Sequence, residues 1–148
     1  MRPVARSLVV LALLPTTLVG CSTIVQTEAS PSSTVSPSVV ATWQPDGDAA
    51  TNQAAFDGLL QPLTNADGVP DEHDVVNALR GVGLTTDQLQ VTPAVTPTGL
   101  AADTLSVSAE VQGQCLVGQY HKGTYGGSAV VDPIDGACLV GDTVDIDW

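Results

Sequence analysis

The stretch TLSVSAEVQGQCLVGQY, residues 104–120, decides the fold. Every second residue from Leu105 to Val111 is apolar, and polar residues stand between them. This period of two is typical of a strand with one face buried in an antiparallel sheet. Gly113 then interrupts the pattern, and the residues that follow predict a second strand over 115–120. The two strands are expected to form a hairpin.

Two helices are predicted before this hairpin. Apolar residues at i, i+3, i+4 and i+7 from Phe56 onward predict a helix over 49–61. We expect Pro62 to end or kink it, because proline has no N–H to donate to the preceding turn. The second helix is expected to begin at Asp71, whose carboxylate is a natural N-cap, and to end near Arg80.

The rest of the domain is predicted to add short strands to the sheet. They are expected over 90–92, 128–131 and 137–140, with a weak strand pattern over 141–148. Residues 121–127 are rich in glycine and predict a loop. The sequence therefore predicts an α+β fold in which two N-terminal helices pack on one face of a small antiparallel β-sheet.

The N-terminal 20 residues have the pattern of an export signal. Two arginines precede an apolar run over 7–14, which is too short to span a hydrocarbon core of ~30 Å as a helix. After Pro15, Thr16 and Thr17 comes Leu18-Val19-Gly20-Cys21, which resembles the signal of bacterial lipoproteins. We expect cleavage before Cys21 and a lipid on its thiol. The alternatives are an ordinary secretory signal with an incidental cysteine, and an uncleaved anchor.

Residues 22–42 are rich in Ser, Thr and Pro, carry Glu28 as their single charge, and predict a disordered tether. The predicted organisation is a signal peptide over 1–20, a lipidated cysteine and tether over 21–42, and one domain over 43–148. No other segment approaches ~18 consecutive apolar residues, so the lipid is the only predicted membrane attachment. The expected location is the extracytoplasmic face of the cell membrane.

The predicted mature chain is strongly acidic. Arg80 and Lys122 are its only two basic residues, and with all 16 acidic residues they give a net charge of −14. Such a surface repels the phosphates of nucleic acids and anionic lipids. A nucleic-acid partner is therefore not expected, while an envelope protein or a small ligand remains open.

Two cysteines, Cys115 and Cys138, remain once Cys21 carries a lipid. In an exported protein an even pair predicts a disulfide, which would contribute roughly 3 kcal/mol by constraining the unfolded chain. A metal pair and a redox-active couple are the alternatives. Both are less favoured, because neither cysteine has an adjacent histidine ligand in the sequence and the C-x-x-C spacing of redox couples is missing.

A series of short motifs resembles actinobacterial lipoproteins that carry a small domain of unknown function. The motifs cover most of 56–141 and occur in this order: Phe56-Asp57-Gly58-Leu59-Leu60, Asn77-Ala78-Leu79-Arg80-Gly81, Val91-Thr92-Pro93, Ala101-Ala102-Asp103, Cys115-Leu116-Val117-Gly118-Gln119 and Cys138-Leu139-Val140-Gly141. The resemblance implies a surface lipoprotein with a disulfide. It implies no activity.

Motifs for phosphate, dinucleotide or serine-nucleophile chemistry are missing from the sequence. The acidic groups around His73, at 46–48 and at 142–147 lack the spacing of an EF-hand and are expected to be solvated. The most site-like stretch gathers aromatic, imidazole and ammonium groups on the predicted loop, and loops on rigid scaffolds often bind ligands. The residues of this candidate site are Gln119, Tyr120, His121, Lys122 and Tyr125.

The sequence favours a membrane-anchored lipoprotein whose domain binds a partner or ligand without catalysis. Neither a catalytic residue nor a metal or cofactor site is predicted. One alternative is an exported hydrolase or cation-binding enzyme whose site forms only in the fold. The other is a structural subunit of the envelope, which would self-associate.

Overall fold

The computed structural model describes residues 41–148 and contains two helices packed on a four-stranded antiparallel sheet. The elements are α1 (Ala49–Leu60), α2 (Glu72–Arg80), β1 (Leu89–Val91), β2 (Thr104–Val111), β3 (Gln114–His121) and β4 (Thr124–Val131), with short 3₁₀ turns at Gln61–Leu63 and Thr86–Gln88. The α+β fold expected from the sequence is confirmed. None of the described helices is long and apolar enough to cross a membrane. The predicted signal peptide, Cys21 and nearly all of the tether lie outside the described residues.

An aspartate caps the start of each helix, and Asp71 is the cap that the sequence predicted. The Asp48 carboxylate accepts a hydrogen bond of 2.8 Å from the Thr51 amide at the start of α1. Asp71 does the same for the His73 amide at the start of α2. These caps satisfy amide donors that have no partner inside a helix. At the other end of α1, the chain tightens into a 3₁₀ turn at Pro62, as expected of a residue without an N–H.

The four strands follow one another in the order β1-β2-β3-β4, and each pairs antiparallel with the next. The β2–β3 hairpin turns at Gln112 and Gly113, which both have positive φ (52° and 79°). Two successive residues of this kind are typical of the tight turns that match the twist of a hairpin. The resulting register places Leu105 opposite Tyr120 and Ala109 opposite Leu116.

The core lies between this sheet and the helices. Its largest fully buried side chains are Tyr120 and Phe56, and the predicted inward residues of β2 are all buried. Gly118 allows α1 to approach the sheet closely. A Cβ there would stand 2.6 Å from the Tyr125 hydroxyl and 3.1 Å from Phe56 Cε1, so any side chain would push the helix away.

The predicted loop over 121–127 is wrong. Strand β4 begins at Thr124 instead of 128, and only Lys122 and Gly123 separate it from β3. An irregularity in the β3–β4 register absorbs the extra residue, next to Gly127 with a φ of 87°. Glycines indicated a loop, but here they form a bulged strand, because bulges tolerate the positive φ that glycine supplies.

The strands predicted over 137–140 and 141–148 are also wrong, since this part of the chain is irregular. Residues 132–148, which we name the C-terminal strap, run from β4 to β1. The Gln90 side-chain oxygen accepts hydrogen bonds from the amides of Cys138 (2.8 Å) and Leu139 (2.9 Å). Further along, the Val144 amide donates to the Val91 carbonyl (2.9 Å). Two hydrogen bonds to the Gln90 side chain and one backbone hydrogen bond therefore stand where the alternating pattern predicted paired strands.

The end of the strap contacts α2. The indole of Trp148 packs on the His73 imidazole with ring centroids 4.0 Å apart, and its main-chain oxygen accepts a hydrogen bond of 2.8 Å from Arg80 Nη1. Val144, Ile146 and Trp148 also pack against the core. The strap thus covers part of the free edge of β1 and connects the sheet to a helix.

The predicted disulfide between Cys115 and Cys138 is confirmed, with Cα atoms 5.4 Å apart. Cys115 lies on β3 and is fully buried, whereas Cys138 belongs to the strap. The bond therefore fixes an irregular segment to the middle of the sheet.

Replacing both cysteines by alanine should lower the free energy of unfolding by about 3 kcal/mol, because the unfolded chain regains the freedom that the cross-link removes. Urea unfolding of the purified protein, followed by far-ultraviolet circular dichroism, measures this change. Reduction of the unmodified protein should shift the urea midpoint in the same direction. A double variant with an unchanged midpoint would contradict a stabilising disulfide.

Candidate functional site

The five residues of the sequence-predicted site lie on the β3–β4 hairpin, not on a loop. Tyr120 and Tyr125 are opposite each other in the register and tilt together with ring centroids 5.0 Å apart. They face the helices, whereas Gln119, His121 and Lys122 are exposed. The structure therefore divides the predicted site into a core pair and a surface group.

Tyr120 is 1% exposed, and its hydroxyl donates a hydrogen bond of 2.8 Å to the carbonyl of Leu60. Leu60 is the last residue of α1, where carbonyls have no partner within the helix. Burial raises the pKa of the Tyr120 hydroxyl. Tyr120 thus fixes the C-terminal end of α1 to β3, which is a structural role.

Tyr125 joins the same helix one turn earlier. Its hydroxyl donates a hydrogen bond of 2.8 Å to the Asp57 carboxylate. Burial raises the pKa of Tyr125, and the hydrogen bond to Asp57 together with the negative charge of that carboxylate raises it further. Both tyrosine hydroxyls are therefore held as neutral donors to α1.

The surface group surrounds the tip of the hairpin. Lys122 Nζ lies 2.7 Å from an Asp103 carboxylate oxygen, with the two side chains 58% and 66% exposed. The hydrogen bond and the charge of Lys122 lower the pKa of Asp103. Gln119 donates to the Ser106 hydroxyl at 3.3 Å on the face of the sheet. Because an exposed ion pair contributes little to stability, this group has no structural role comparable to that of the two tyrosines.

The acidic group at the start of α2 has structural partners. Asp71 caps the helix, His73 stacks on Trp148, and the Glu72 carboxylate accepts a hydrogen bond from the amide of Ala94. Within residues 41–148, no group of three or more His, Cys, Asp or Glu side chains is arranged to hold a metal ion.

Sequence reasoning missed a cavity at the other end of the domain. An open groove of about 550 Å³ is lined by Trp43, Gln44, Pro45, Asp46, Gly47, Asp48, Thr51 and Gln112. A smaller cavity of about 280 Å³ adjoins it and shares Trp43, Pro45 and Gln112. The one available signal was a tryptophan, flanked by polar residues, at the start of the domain in a chain with few aromatics.

Residues 60–142 match a family described as Domain of unknown function (DUF6993). The chain belongs to this family. The DUF6993 match extends from the end of α1 into the strap and includes both disulfide cysteines, but it leaves out Trp43 and most of α1. The expected domain of unknown function is thereby confirmed. No curated protein and no solved structure matches the chain.

The two tyrosines predict how stability depends on pH. Their pKa values are raised in the folded protein, so above pH about 10 unfolded chains lose tyrosine protons that folded chains keep. The free energy of unfolding should therefore fall as the pH rises through this range. Urea unfolding at about pH 8 and at about pH 11 measures the fall.

The matched control replaces Tyr120 and Tyr125 by phenylalanine. This variant should be less stable at neutral pH by about 1 kcal/mol for each lost hydrogen bond, but its stability should depend less on alkaline pH. An equal alkaline fall in both proteins would show that other groups cause it.

Proposed function

We propose that this DUF6993 protein is a lipid-anchored module on the extracytoplasmic face of the cell membrane, where it binds a partner or ligand without catalysis. The proposal combines the Leu18-Val19-Gly20-Cys21 signal with the Cys115–Cys138 disulfide. The resemblance to actinobacterial lipoproteins also supports the proposal.

The disulfide is the observation that carries the proposed location. Disulfides persist in oxidising compartments and are rare in the cytosol. The chain has three cysteines, and the disulfide pairs two of them. Cys21 is therefore the one left with a thiol for acylation, and it stands where the signal requires it. A lipoprotein cysteine carries at least two acyl chains, which are enough for stable membrane attachment.

The charge distribution supports a partner other than nucleic acid. The net charge of the mature chain would be −14, and neither of its two basic side chains belongs to a basic patch. Lys122 pairs with Asp103, and Arg80 donates to the main chain of Trp148. Phosphate binding needs clustered Lys and Arg.

The hairpin tip supports a binding role. His121 and Lys122 are exposed at the end of two strands that Tyr120 and Tyr125 fasten to α1. A surface held in this way loses little conformational freedom when it binds. The tip combines an imidazole, an ammonium group and the Asp103 carboxylate, which suits polar recognition of a protein surface.

Lipidation is tested with a Cys21→Ser variant produced in a bacterium that makes lipoproteins. The unmodified protein should partition into the detergent phase, and its mass should include at least two acyl chains. Cys21→Ser should lose both properties, because serine has no thiol to accept the lipid. The Cys115→Ala/Cys138→Ala variant is the matched control and should stay lipidated. An unmodified protein without acyl chains would refute the proposed anchor.

Binding through the hairpin is tested in intact cells with a photo-crosslinking amino acid at position 124, which is exposed opposite His121 and leaves Lys122 in place. We expect one discrete crosslinked product, which the His121→Ala variant should weaken. The matched control carries the crosslinker at Thr98, which is also exposed but lies on a different loop. Equal products from both positions, or none from position 124, would contradict a partner at the hairpin tip. Crosslinking only to a second copy would favour a structural subunit.

A further inference from the structure

The cavity at the N-terminal end of the domain has the features of a built binding site. We name it the Trp43 groove; its lining residues are those given above for the larger cavity. It lies where residues 43–48 meet the first turn of α1 and the β2–β3 turn. Its volume of about 550 Å³ falls within the range of small-molecule sites.

A buried asparagine holds the wall of this groove in place. Asn52 is fully buried; its side-chain oxygen accepts from the Gln44 amide (2.8 Å), and its nitrogen donates to the carbonyls of Gln44 (2.9 Å) and Gly47 (3.0 Å). Gly47 fits tightly, since a Cβ there would stand 3.0 Å from the Asn52 nitrogen. Gln112 donates to the Asp46 carbonyl (3.0 Å) from the opposite wall. The groove is therefore preorganised, which reduces the entropy that a ligand must overcome.

The side chains that remain free in the groove are mostly neutral and polar. Within residues 41–148, the side-chain amide of Gln44 and the Asp46 carboxylate make no hydrogen bond, and Gln112 uses only its side-chain nitrogen, which leaves its side-chain oxygen as an acceptor. Trp43 also lines the groove; it is half-buried, with part of its surface packed against the core. Such a lining suits a ligand with many hydroxyl groups and an apolar face.

The charge of the groove argues against anions and does not require a cation. Its lining contains no basic residue and two carboxylates. Asp48 is already used: it caps α1, its hydrogen bonds with Thr51 lower its pKa, and the positive end of the helix dipole offsets its charge. Asp46 is left as one uncompensated carboxylate among neutral groups.

We propose that the Trp43 groove binds a short neutral oligosaccharide with one sugar ring stacked on the Trp43 indole. The C–H groups on a sugar face carry partial positive charge, and the face of an aromatic ring is negative. Gln44, Asp46 and Gln112 would take hydrogen bonds from the hydroxyls. The adjoining cavity adds apolar contacts from Val82, Leu84 and Val111 for a second ring. The inference deepens the proposed function, on which it rests for access to envelope glycans.

Tryptophan fluorescence tests this directly, because Trp43 and Trp148 are the only two tryptophans in the chain. The Trp148→Phe variant of the mature, detergent-solubilised protein reports on Trp43 alone. Titration with cellotetraose, maltotetraose and chitotetraose should give a saturable change in emission with at least one of them. No saturation with any of the three, up to the solubility limit, would overturn the proposal.

Two further variants test whether the sugar binds in the Trp43 groove and whether binding needs the charge of Asp46. Gln44 is exposed and its side chain makes no hydrogen bond within the described residues, so Gln44→Ala should fold normally and weaken binding by roughly tenfold, about 1.4 kcal/mol. Asp46→Asn should bind the oligosaccharide nearly as well, because an amide oxygen still accepts hydrogen bonds. Undiminished binding by Gln44→Ala would place the sugar elsewhere.

A cationic ligand is the competing outcome. If spermidine saturates the Trp43 signal, the neutral sugars do not, and Asp46→Asn abolishes the effect, the groove is a cation site and the proposal fails. Such failure leaves detergent partitioning and hairpin crosslinking unchanged. Conversely, loss of the lipid anchor would not alter a titration performed in solution, so the two proposals fail separately.

Discussion

The disulfide between Cys115 and Cys138 is the constraint on which the position of the C-terminal strap against the sheet depends. The helices cover one face of a four-stranded antiparallel sheet. The C-terminal strap, which has no regular secondary structure, is joined to β3 by this bond. Such a segment has few backbone hydrogen bonds of its own. The covalent bond and the two hydrogen bonds to Gln90 hold it in place, and the contacts at Val144 and Trp148 then become favourable.

On the face of the sheet that the helices cover, Tyr120 and Tyr125 fix the β3–β4 hairpin to α1. Their rings are covered by α1, and their hydroxyls donate to that helix. The residues that sequence reasoning grouped as one site therefore have two roles: the tyrosines fix the hairpin, and the residues at its tip are presented to solvent. A rigid support beneath polar side chains is what the proposed binding role of the hairpin tip requires.

The sequence predicted the elements whose side chains follow a strong local period. Alternation identified β2, a helical stripe of apolar residues identified α1, and the capping Asp71 identified the start of α2. The strap was not predictable, because its anchors at Gln90, His73 and Arg80 lie far away in the sequence. The first half of strand β4 was missed because Gly126 and Gly127 resemble a loop locally, although pairing with β3 decides their conformation. The Trp43 groove was missed because its wall depends on the hydrogen bonds that Asn52 makes with the backbone of Gln44 and Gly47, and no local pattern indicates these bonds.

The position of Asn52 determines which side chains of the groove wall can change without disturbing the fold. One side chain on α1 fastens the wall of the groove, and the residues it holds are bound mainly through their backbone. Backbone contacts do not depend on which side chains the wall carries. Substitutions at positions 44 and 46 can therefore change the chemistry of the groove lining while the sheet, its cross-link and the tyrosine contacts stay intact.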